Sequence, residues 1–226
     1  MINFEQYLAE RKGSSVTQPK PKRKVNIEEL KQMIANKDSS IANVDVSEIT
    51  DMKELFKNSD FGGSWTADLS GWDTSGVKDM SWMFFNCKNL TKVELPNTGN
   101  VENMNNMFCY CTNLTKVELP KTGNVTDMHC MFEGCTNLTK VELPHTDNVT
   151  NMWSMFNHCS NLTKVELPHT ENVVDMSWMF EGCENLEQNF SSWDITNVNQ
   201  KSDMFKGCVK MKQAKKNKIN LYPKGY

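Results

Sequence analysis

The chain has 226 residues, is 38% hydrophobic and 23% charged, and carries a formal net charge of -3 at pH 7. This length suits one domain with tails or one elongated repeat array, and the small net charge excludes the strong global field of a basic nucleic-acid-binding protein. No apolar run approaches the roughly 20 residues that cross a bilayer, and the first 15 residues lack the basic and apolar regions of a secretory signal.

The N-terminal part of the chain is polar before any regular pattern begins. Residues 13 to 25 are rich in proline and lysine, which predicts an N-terminal segment with a flexible linker over residues 1–25. The stretch "NIEELKQMIANKD" follows from Asn26. It predicts a capping helix within residues 26–45.

A repeat with a fixed step of 24 residues fills most of the remaining chain. It is anchored on a valine that recurs at each step: Val77, Val101, Val125, Val149 and Val173. A period of 20 to 50 residues is typical of a solenoid, and looser copies flank the regular ones, as terminal caps do. We predict a solenoid of about seven units over residues 46–211.

The first half of each unit carries an apolar pattern of helical period. Its apolar residues lie three, six, seven and ten positions after the anchor, as in Val101, Met104, Met107, Phe108 and Cys111. At 100° per residue these side chains share one face, which predicts a short amphipathic helix. Asn100 precedes it as a candidate N-cap, and Asn124, Asn148 and Asn172 repeat that choice.

The second half, "NLTKVELP", alternates apolar and polar residues as a strand does. The spacing of Leu90, Val93 and Leu95 is L-x-x-L-x-L, the strand signature of leucine-rich repeats. The whole unit, "NVTDMHCMFEGCTNLTKVELP", resembles the BspA-like leucine-rich repeat. The resemblance implies an α/β solenoid, a right-handed array with a thin parallel sheet on one side and short helices on the other, and interaction rather than catalysis.

The methionines and cysteines of the repeat are predicted to be core. The methionines would stack between units as flexible gap-fillers: Met104, Met107, Met128, Met131, Met152 and Met155, with Met176 and Met179. The cysteine ladder, by which we mean the cysteines at the same position of each unit, comprises Cys87, Cys111, Cys135, Cys159, Cys183 and Cys208. Stacked helices lie about 8–10 Å apart, too far for disulfides, whose Cα atoms need about 4.4–6.8 Å. We therefore expect reduced thiols, with Cys109 and Cys130 on the outward side.

Neither catalysis nor a bound cofactor is indicated. The chain has no phosphate-binding glycine loop, no nucleophile elbow and no His-Glu-x-x-His motif. It also has no Cys-x-x-Cys pair. The prediction is no enzyme, no cofactor and no metal site.

Two outward surfaces are candidates for binding a protein partner. On the sheet side, lysine and glutamate rows repeat without variation: Lys92, Lys116, Lys140 and Lys164, and Glu94, Glu118, Glu142 and Glu166. They form either a mutually neutralising solvated grid or a repetitive binding surface. On the helix side Trp82, Trp153 and Trp178 are candidates, because tryptophan is favoured at binding hot spots, unless each lies flat over a neighbouring unit.

The two ends of the chain add further hypotheses. Residues 212–226 predict a basic tail, either solvated or tethered to an anionic partner such as nucleic acid. The start, "MINFEQYLAE", resembles the capsid-targeting peptide of internal head proteins in T-even-type phages. That resemblance implies cleavage after Leu8-Ala9-Glu10 and a capsid or other virion protein as partner.

Three functions therefore stay open at this point: an interaction scaffold, a virion-associated protein and a cell-surface adhesin of the BspA-like type. The missing signal favours a cytoplasmic or virion location and no membrane partner.

Overall fold

The computed structural model describes residues 21–95, 97–217 and 219–226. Its strands are short, and helices occur only toward the two ends of this described part. In chain order the elements are β1 (Arg23–Lys24), α1 (Ile27–Ala35), a 3-10 helix (Ser39–Asn43), β2 (Val44–Asp45), β3 (Trp65–Asp68), β4 (Leu90–Glu94), β5 (Lys116–Glu118), β6 (Lys140–Glu142), β7 (Lys164–Glu166) and α2 (Val209–Lys216).

The strands of successive units pair in parallel, which confirms the solenoid with a thin parallel sheet on one side. β4 pairs with β5 in a register that sets Lys92 opposite Lys116, and β6 pairs with β7 so that Lys140 lies opposite Lys164. In both pairs the partner residues are 24 positions apart, which is one repeat. Each repeat therefore adds one strand to the sheet. Within the described residues the sheet is split, because β3, β4 and β5 form one part and β6 and β7 another.

The other side of each unit consists of consecutive tight turns where short helices were predicted; we call it the turn side. One backbone N–H group in two points to the next unit: Trp82 donates to the Asn105 carbonyl at 3.0 Å, and Phe84 to that of Met107 at 2.9 Å. Isolated parallel bridges, such as Asp127 to Asn151, begin each of these segments. Donors used between units cannot also make the i to i-4 bonds of an α-helix.

The turns reproduce the apolar spacing that suggested a helix. Between the inter-unit bonds, Met131 donates to the Met128 carbonyl at 3.2 Å and Cys135 to the Phe132 carbonyl at 3.1 Å. Each of these hydrogen bonds joins residues three positions apart and closes a tight turn. The turn brings the next apolar side chain back to the interior. Hydrophobic periodicity alone therefore could not distinguish these turns from a helix.

The asparagines predicted as N-caps have a different role. Asn100 donates its side-chain N–H to the Ser75 carbonyl at 2.6 Å, and Asn124 donates to that of Gly99 at 2.6 Å. Asn148 and Asn172 repeat the bond to the preceding unit. Because there is no helix to cap, these amides join neighbouring coils instead.

The interior is a set of one-residue columns running along the solenoid. The repeat methionines from Met104 to Met179 are fully buried. Beside them, the phenylalanines of successive units stack with ring centroids 5.0 to 5.5 Å apart: Phe56, Phe84, Phe108, Phe132, Phe156, Phe180 and Phe205. Offset stacks of this kind add about 0.5–1.5 kcal/mol per pair beyond the apolar area that they bury.

The N-terminal end of the solenoid is covered by α1, which lies within the segment predicted to be helical. Asn26 caps it, accepting a bond from the Glu29 N–H while the Glu29 carboxylate accepts one from the Asn26 N–H. Leu30 and Met33 bury the inner face. The predicted linker is shorter than expected, because Arg23 and Lys24 already pair with β2 and Val25 is buried.

The C-terminal end is folded as well, so its described residues are not the solvated tail that was one of the two alternatives. Met211 and Ala214 of α2, followed by Leu221 and Tyr222, are buried against the last unit. Phe190 donates its backbone N–H to the Leu221 carbonyl at 2.7 Å. The apolar residues scattered among the lysines are what close the open end of the core.

The exposed edge of β7 is closed by one side chain. Gln188 accepts a bond from the Val165 N–H at 2.7 Å and donates its amide to the Val165 carbonyl at 2.8 Å. The amide thus occupies the position of a further strand. Native proteins block edges in this way against strand-to-strand association.

Candidate partner-binding surfaces

The sheet face, meaning the outward side of β4 to β7, carries the lysine and glutamate rows. In each unit the lysine contacts the glutamate two residues later, with Lys116 and Lys164 each 2.5 Å from their partner. Diagonal contacts link units, as between Lys140 and the Glu166 carboxylate at 3.4 Å. The rows found in the sequence therefore lie side by side, and each positive charge has a negative neighbour.

The pKa directions on the sheet face agree with this pairing. A hydrogen bond to Glu94 raises the pKa of Lys92, and one from Lys116 lowers the pKa of Glu118. Three of the four pairs are exposed and the Lys92–Glu94 pair is partly exposed, so each pair stabilises the fold little. Charges neutralised in place offer a partner a weak field, which favours the solvated grid over a repetitive binding surface.

A groove opens where the sheet is split. It has a volume of about 480 Å³ and runs between β5 and β6, with Val117, Leu119 and Pro144 in its lining. Val117 is partly exposed there, whereas Val93 and Val141 are buried in the equivalent positions. The groove is an apolar interruption of the charged sheet face, and a second groove of about 370 Å³ lies beside β7, with Pro144, Leu167 and Trp193 in its lining.

The three candidate tryptophans lie on the turn side, and all are partly exposed. Trp82 packs against Phe85 with centroids 4.7 Å apart, and the Lys57 ammonium lies 5.1 Å from its ring centroid. Trp153 and Trp178 meet edge to face at 5.9 Å. The structure therefore brings two of the three together and leaves Trp82 in a separate contact with Lys57.

His129 extends the tryptophan pair, and the three together are called the aromatic surface below. Its ring meets that of Trp153 at 6.1 Å. Nδ1 of His129 lies 2.9 Å from Asp127, and Nε2 lies 3.2 Å from the Asn106 amide nitrogen. Because an amide N–H₂ group only donates, Nε2 is the acceptor and Nδ1 carries the proton.

Asp127 is the charged residue beside His129 at the edge of the aromatic surface. Partial burial would raise the pKa of its carboxyl, but hydrogen bonds from the His129 side chain and backbone outweigh that effect, and the pKa is lowered. The carboxylate is therefore ionised near neutral pH. It holds the imidazole in a single orientation beside Trp153.

Backbone geometry makes two of these tryptophans unusual. Trp82 and Trp178 both occupy left-handed positions, with φ of 61° and 55°. The equivalent residues of the other regular units, Asn106, Cys130 and Ser154, also have left-handed φ values, of 56°, 53° and 52°, so the repeat imposes this geometry on whichever residue it holds there. A bulky residue there costs about 1–2 kcal/mol, so local backbone preference does not account for either tryptophan.

The cysteine ladder lies in the interior, and its thiols hydrogen-bond to the preceding unit. All eight thiols are free and buried. Each ladder thiol donates to the phenylalanine carbonyl of the preceding unit, as Cys135 does to Phe108 at 3.1 Å. Burial raises the pKa of Cys87 to about 12 and that of Cys135 well above its usual range.

Cys109 and Cys130 were predicted on the outward side, and this is wrong. Their exposed fractions are 2% and 4%. Burial is also the main cause that raises the pKa of both thiols, with the Glu133 carboxylate adding to it. Sulfur so poorly accessible and so seldom ionised makes a poor metal ligand or nucleophile.

One group of potential metal ligands was missed in the sequence. Asp147, His169 and Glu171 offer ligand atoms within 4.8 Å of one another. His145 and His169 occupy the same position in consecutive units, a signal that was available in the repeat alignment. Asp147 and His169 are partly exposed and Glu171 is exposed. The His169 Nδ1 atom lies 3.4 Å from the Glu171 carboxylate and 3.5 Å from that of Asp147, as in ordinary surface contacts.

Leu8 and Glu10, the predicted processing site, lie outside the described residues. No helix in the described part is of the length and apolar character that a bilayer crossing requires.

A family model described as "Mycoplasma protein of unknown function, DUF285" matches residues 25–141 and 126–221. Together the two matches span most of the chain. The chain belongs to this family. The family description assigns no activity, and no curated protein sequence matches the chain.

Several solved bacterial leucine-rich-repeat proteins are similar in structure. The Treponema protein described as "T. pallidum Leucine Rich Repeat protein" is 22% identical, with a TM-score of 0.42 over 73% of this chain and 87% of its own. A leucine-rich repeat protein from Eubacterium ventriosum is 22% identical, with a TM-score of 0.40 over 69% of this chain and 38% of its own. One from Bacteroides ovatus is 21% identical, with a TM-score of 0.34 over 48% and 33%. The chain thus spans well under half of the latter two proteins.

Proposed function

We propose that the chain is a non-catalytic leucine-rich-repeat scaffold that binds a protein partner through its aromatic surface. The observation that carries this proposal is the pairing of Trp153 with Trp178 on the outside of the solenoid, 5.9 Å apart. Trp178 is kept there despite its unfavourable φ. A residue retained against its backbone preference is a candidate for function.

The composition of the surface fits protein recognition. Tryptophan offers a large contact area with only two rotatable bonds, so little conformational entropy is lost on binding. His129, fixed by Asp127 and Asn106, adds a polar group of defined orientation. Rigid aromatic anchors bordered by satisfied polar groups are typical of binding hot spots.

The repeat itself supports a scaffold role. Interior positions are nearly invariant from unit to unit, whereas the two turn-side positions that contain His129, Trp153 and Trp178 differ between neighbouring units, and only the pair Ser81-Trp82 recurs, as Ser177-Trp178. The columns of methionine, phenylalanine and cysteine position these variable side chains on a regular frame. The change of residues between neighbouring units gives a partner an irregular surface to recognise, which the uniform sheet face does not.

The test compares three forms of the protein in affinity capture from cells of the natural source, with quantitative mass spectrometry. The test variant is Trp153→Ala/Trp178→Ala, and the matched control is Trp82→Ala, which removes a tryptophan of similar exposure from a different contact. We expect one partner to be captured by the wild type and the control but lost with the double variant. Direct titration of that purified partner should then show at least a tenfold loss of affinity.

Identical capture by all three folded forms would contradict the proposal. Thermal unfolding of each variant shows whether a loss reflects binding or misfolding. The virion-associated alternative depends on the first ten residues alone, and the intact mass of the natural protein tests it, since processing would leave a chain that starts at Arg11.

A further inference from the structure

Charge is distributed very unevenly along the chain. Residues 26–200 contain eleven basic and 25 acidic residues, whereas residues 201–226 contain eight lysines and a single acidic residue, Asp203. The small net charge of the whole chain hides this separation. The solenoid body is therefore acidic and its C-terminal end strongly basic.

The fold fixes that basic end as a surface, here called the basic cap. Its lysines are exposed: Lys206, Lys210, Lys212, Lys215, Lys216 and Lys224. Helix α2 turns Met211 and Ala214 inward, so Lys212 and Lys216, one turn apart, lie on the face away from the core. Among these exposed lysines of the described chain, only Lys206 forms an ion pair, with Glu181 and Asp203.

A cavity with aromatic walls lies beside α2 in the basic cap. It has a volume of about 350 Å³ and is lined by Lys215, Asn220, Tyr222, Lys224 and Tyr226, among others. The Lys215 ammonium lies 5.3 Å from the Tyr222 ring centroid, and the rings of Tyr222 and Tyr226 stack at 5.5 Å. Tyr226 is 47% exposed, so one aromatic ring is open to a ligand.

We propose that the basic cap binds single-stranded nucleic acid. Lys212 and Lys216 on α2, with Lys215 and Lys224 at the cavity, contact backbone phosphates, and the exposed ring of Tyr226 stacks on a base. Aromatic platforms set among cations are how proteins bind single strands without sequence preference. This surface lies at the end of the solenoid and is independent of the aromatic surface.

The structure favours this occupant over an anionic membrane. Interfacial helices insert an apolar face into the lipid, but the apolar residues of α2, Met211 and Ala214, are already buried against the last unit. In its described part, the basic cap exposes two large aliphatic side chains, Val209 on α2 and Ile219 at the cavity, against six exposed lysines. A charged rim with a base-sized aromatic cavity suits a phosphate backbone carrying planar bases.

The proposal is tested by fluorescence anisotropy with a labelled 12-nucleotide oligo-dT, titrated with the full chain at 50 to 250 mM KCl. Four phosphate contacts predict a slope of about -3 for log affinity against log salt, since single strands give about -0.7 per contact. Lys212→Glu/Lys216→Glu should weaken binding at least tenfold and make the slope shallower. Tyr226→Ala should weaken binding several-fold and leave the slope unchanged.

The matched control is Lys88→Glu/Lys121→Glu, which makes the same change in net charge with exposed lysines of the solenoid body. It should bind the oligonucleotide within about twofold of the wild type. Melting by circular dichroism shows that each variant is folded. The lysine pair on α2 keeps the test valid if Tyr226→Ala does not fold.

Three results would overturn the proposal. The first is no oligonucleotide binding at 50 mM KCl. The second is an equal loss in the control and in the α2 variant, which would indicate attraction by net charge only. The third is binding to phosphatidylserine vesicles or to polyglutamate that exceeds binding to the oligonucleotide, which would assign the basic cap to a membrane or to an acidic protein.

Discussion

Alkaline pH should unfold this protein because of the cysteine ladder. Every ladder thiol is buried, and burial is the first cause that raises each of their pKa values, from Cys87 to Cys208. A group whose pKa is higher in the folded state contributes stability that is complete below its unfolded pKa. That stability is lost as the pH rises toward the folded pKa.

The size of this loss of stability is set by ionisation of the thiols in the unfolded state. An unfolded thiol with its ordinary pKa of 9.0 gains about 1.4 kcal/mol from ionisation between pH 8 and pH 10, while the folded thiol stays protonated. Six ladder thiols therefore lower the free energy of unfolding by about 8 kcal/mol, which is comparable with the 5–15 kcal/mol that stabilises a typical domain. We expect cooperative unfolding near pH 10.

The assay is urea unfolding at pH 8, 9 and 10, followed by far-ultraviolet circular dichroism in the presence of a reductant. The control is Cys111→Ala/Cys135→Ala, which should be less stable at pH 8 but lose about 2.7 kcal/mol less than the wild type between pH 8 and pH 10. A free energy of unfolding that stays constant to pH 10 would refute the reasoning. So would the same pH dependence in the variant that lacks two ladder thiols.

Four further predictions concern the core, the sheet edge, the thiols and the acid side. Met131→Ala should cost about 2–5 kcal/mol in urea unfolding because it empties a fully buried site; a loss below about 0.5 kcal/mol would contradict its place in the core. Gln188→Ala should cause concentration-dependent association in sedimentation velocity, because it exposes the β7 edge at Val165; a monodisperse variant would show that the edge needs no cover. Titration with a thiol reagent at pH 7.5 should find none of the eight cysteines reactive in the native protein and all eight in guanidinium; fast reaction of any native thiol would refute its burial. Hydrogen bonds from Ser47 and Thr196 lower the pKa values of Asp45 and Asp194. Stability should therefore be constant above about pH 5 and fall as the pH drops below the ordinary value of 3.8; a melting temperature that is unchanged at pH 3 would contradict this.

Period and composition were sufficient to predict the architecture. The 24-residue step, the L-x-x-V-x-L strands and the run of Met-Phe pairs specify one stackable coil, since identical neighbours bury identical faces. The same pattern misled at the turn side. A helix and a series of tight turns both return an apolar side chain every three or four residues, and inter-unit hydrogen bonds decide between them.

The candidate surfaces were partly predictable. The repeat alignment located Trp153 and Trp178 at neighbouring outward positions of consecutive units, but not the contact between their rings. It also suggested that Cys109 and Cys130 face outward, and the structure buries both. Side-chain burial on a turn depends on the neighbouring coils, which a single unit does not encode.

The sequence by itself determined the repeat, the parallel sheet, the buried methionine and cysteine columns and the alternating charges of the sheet face, because each follows from a local pattern copied in register. The tertiary structure alone decided that apolar residues of the basic C-terminal end close the core, and where the sheet is split. Four copies of "NLTKVELP", at residues 89–96, 113–120, 137–144 and 161–168, are identical. Within the described residues β4 nevertheless pairs with β5, and β6 with β7, but β5 does not pair with β6. A strand's residues set its preference for pairing, whereas the position of its neighbour is set by how all the coils stack.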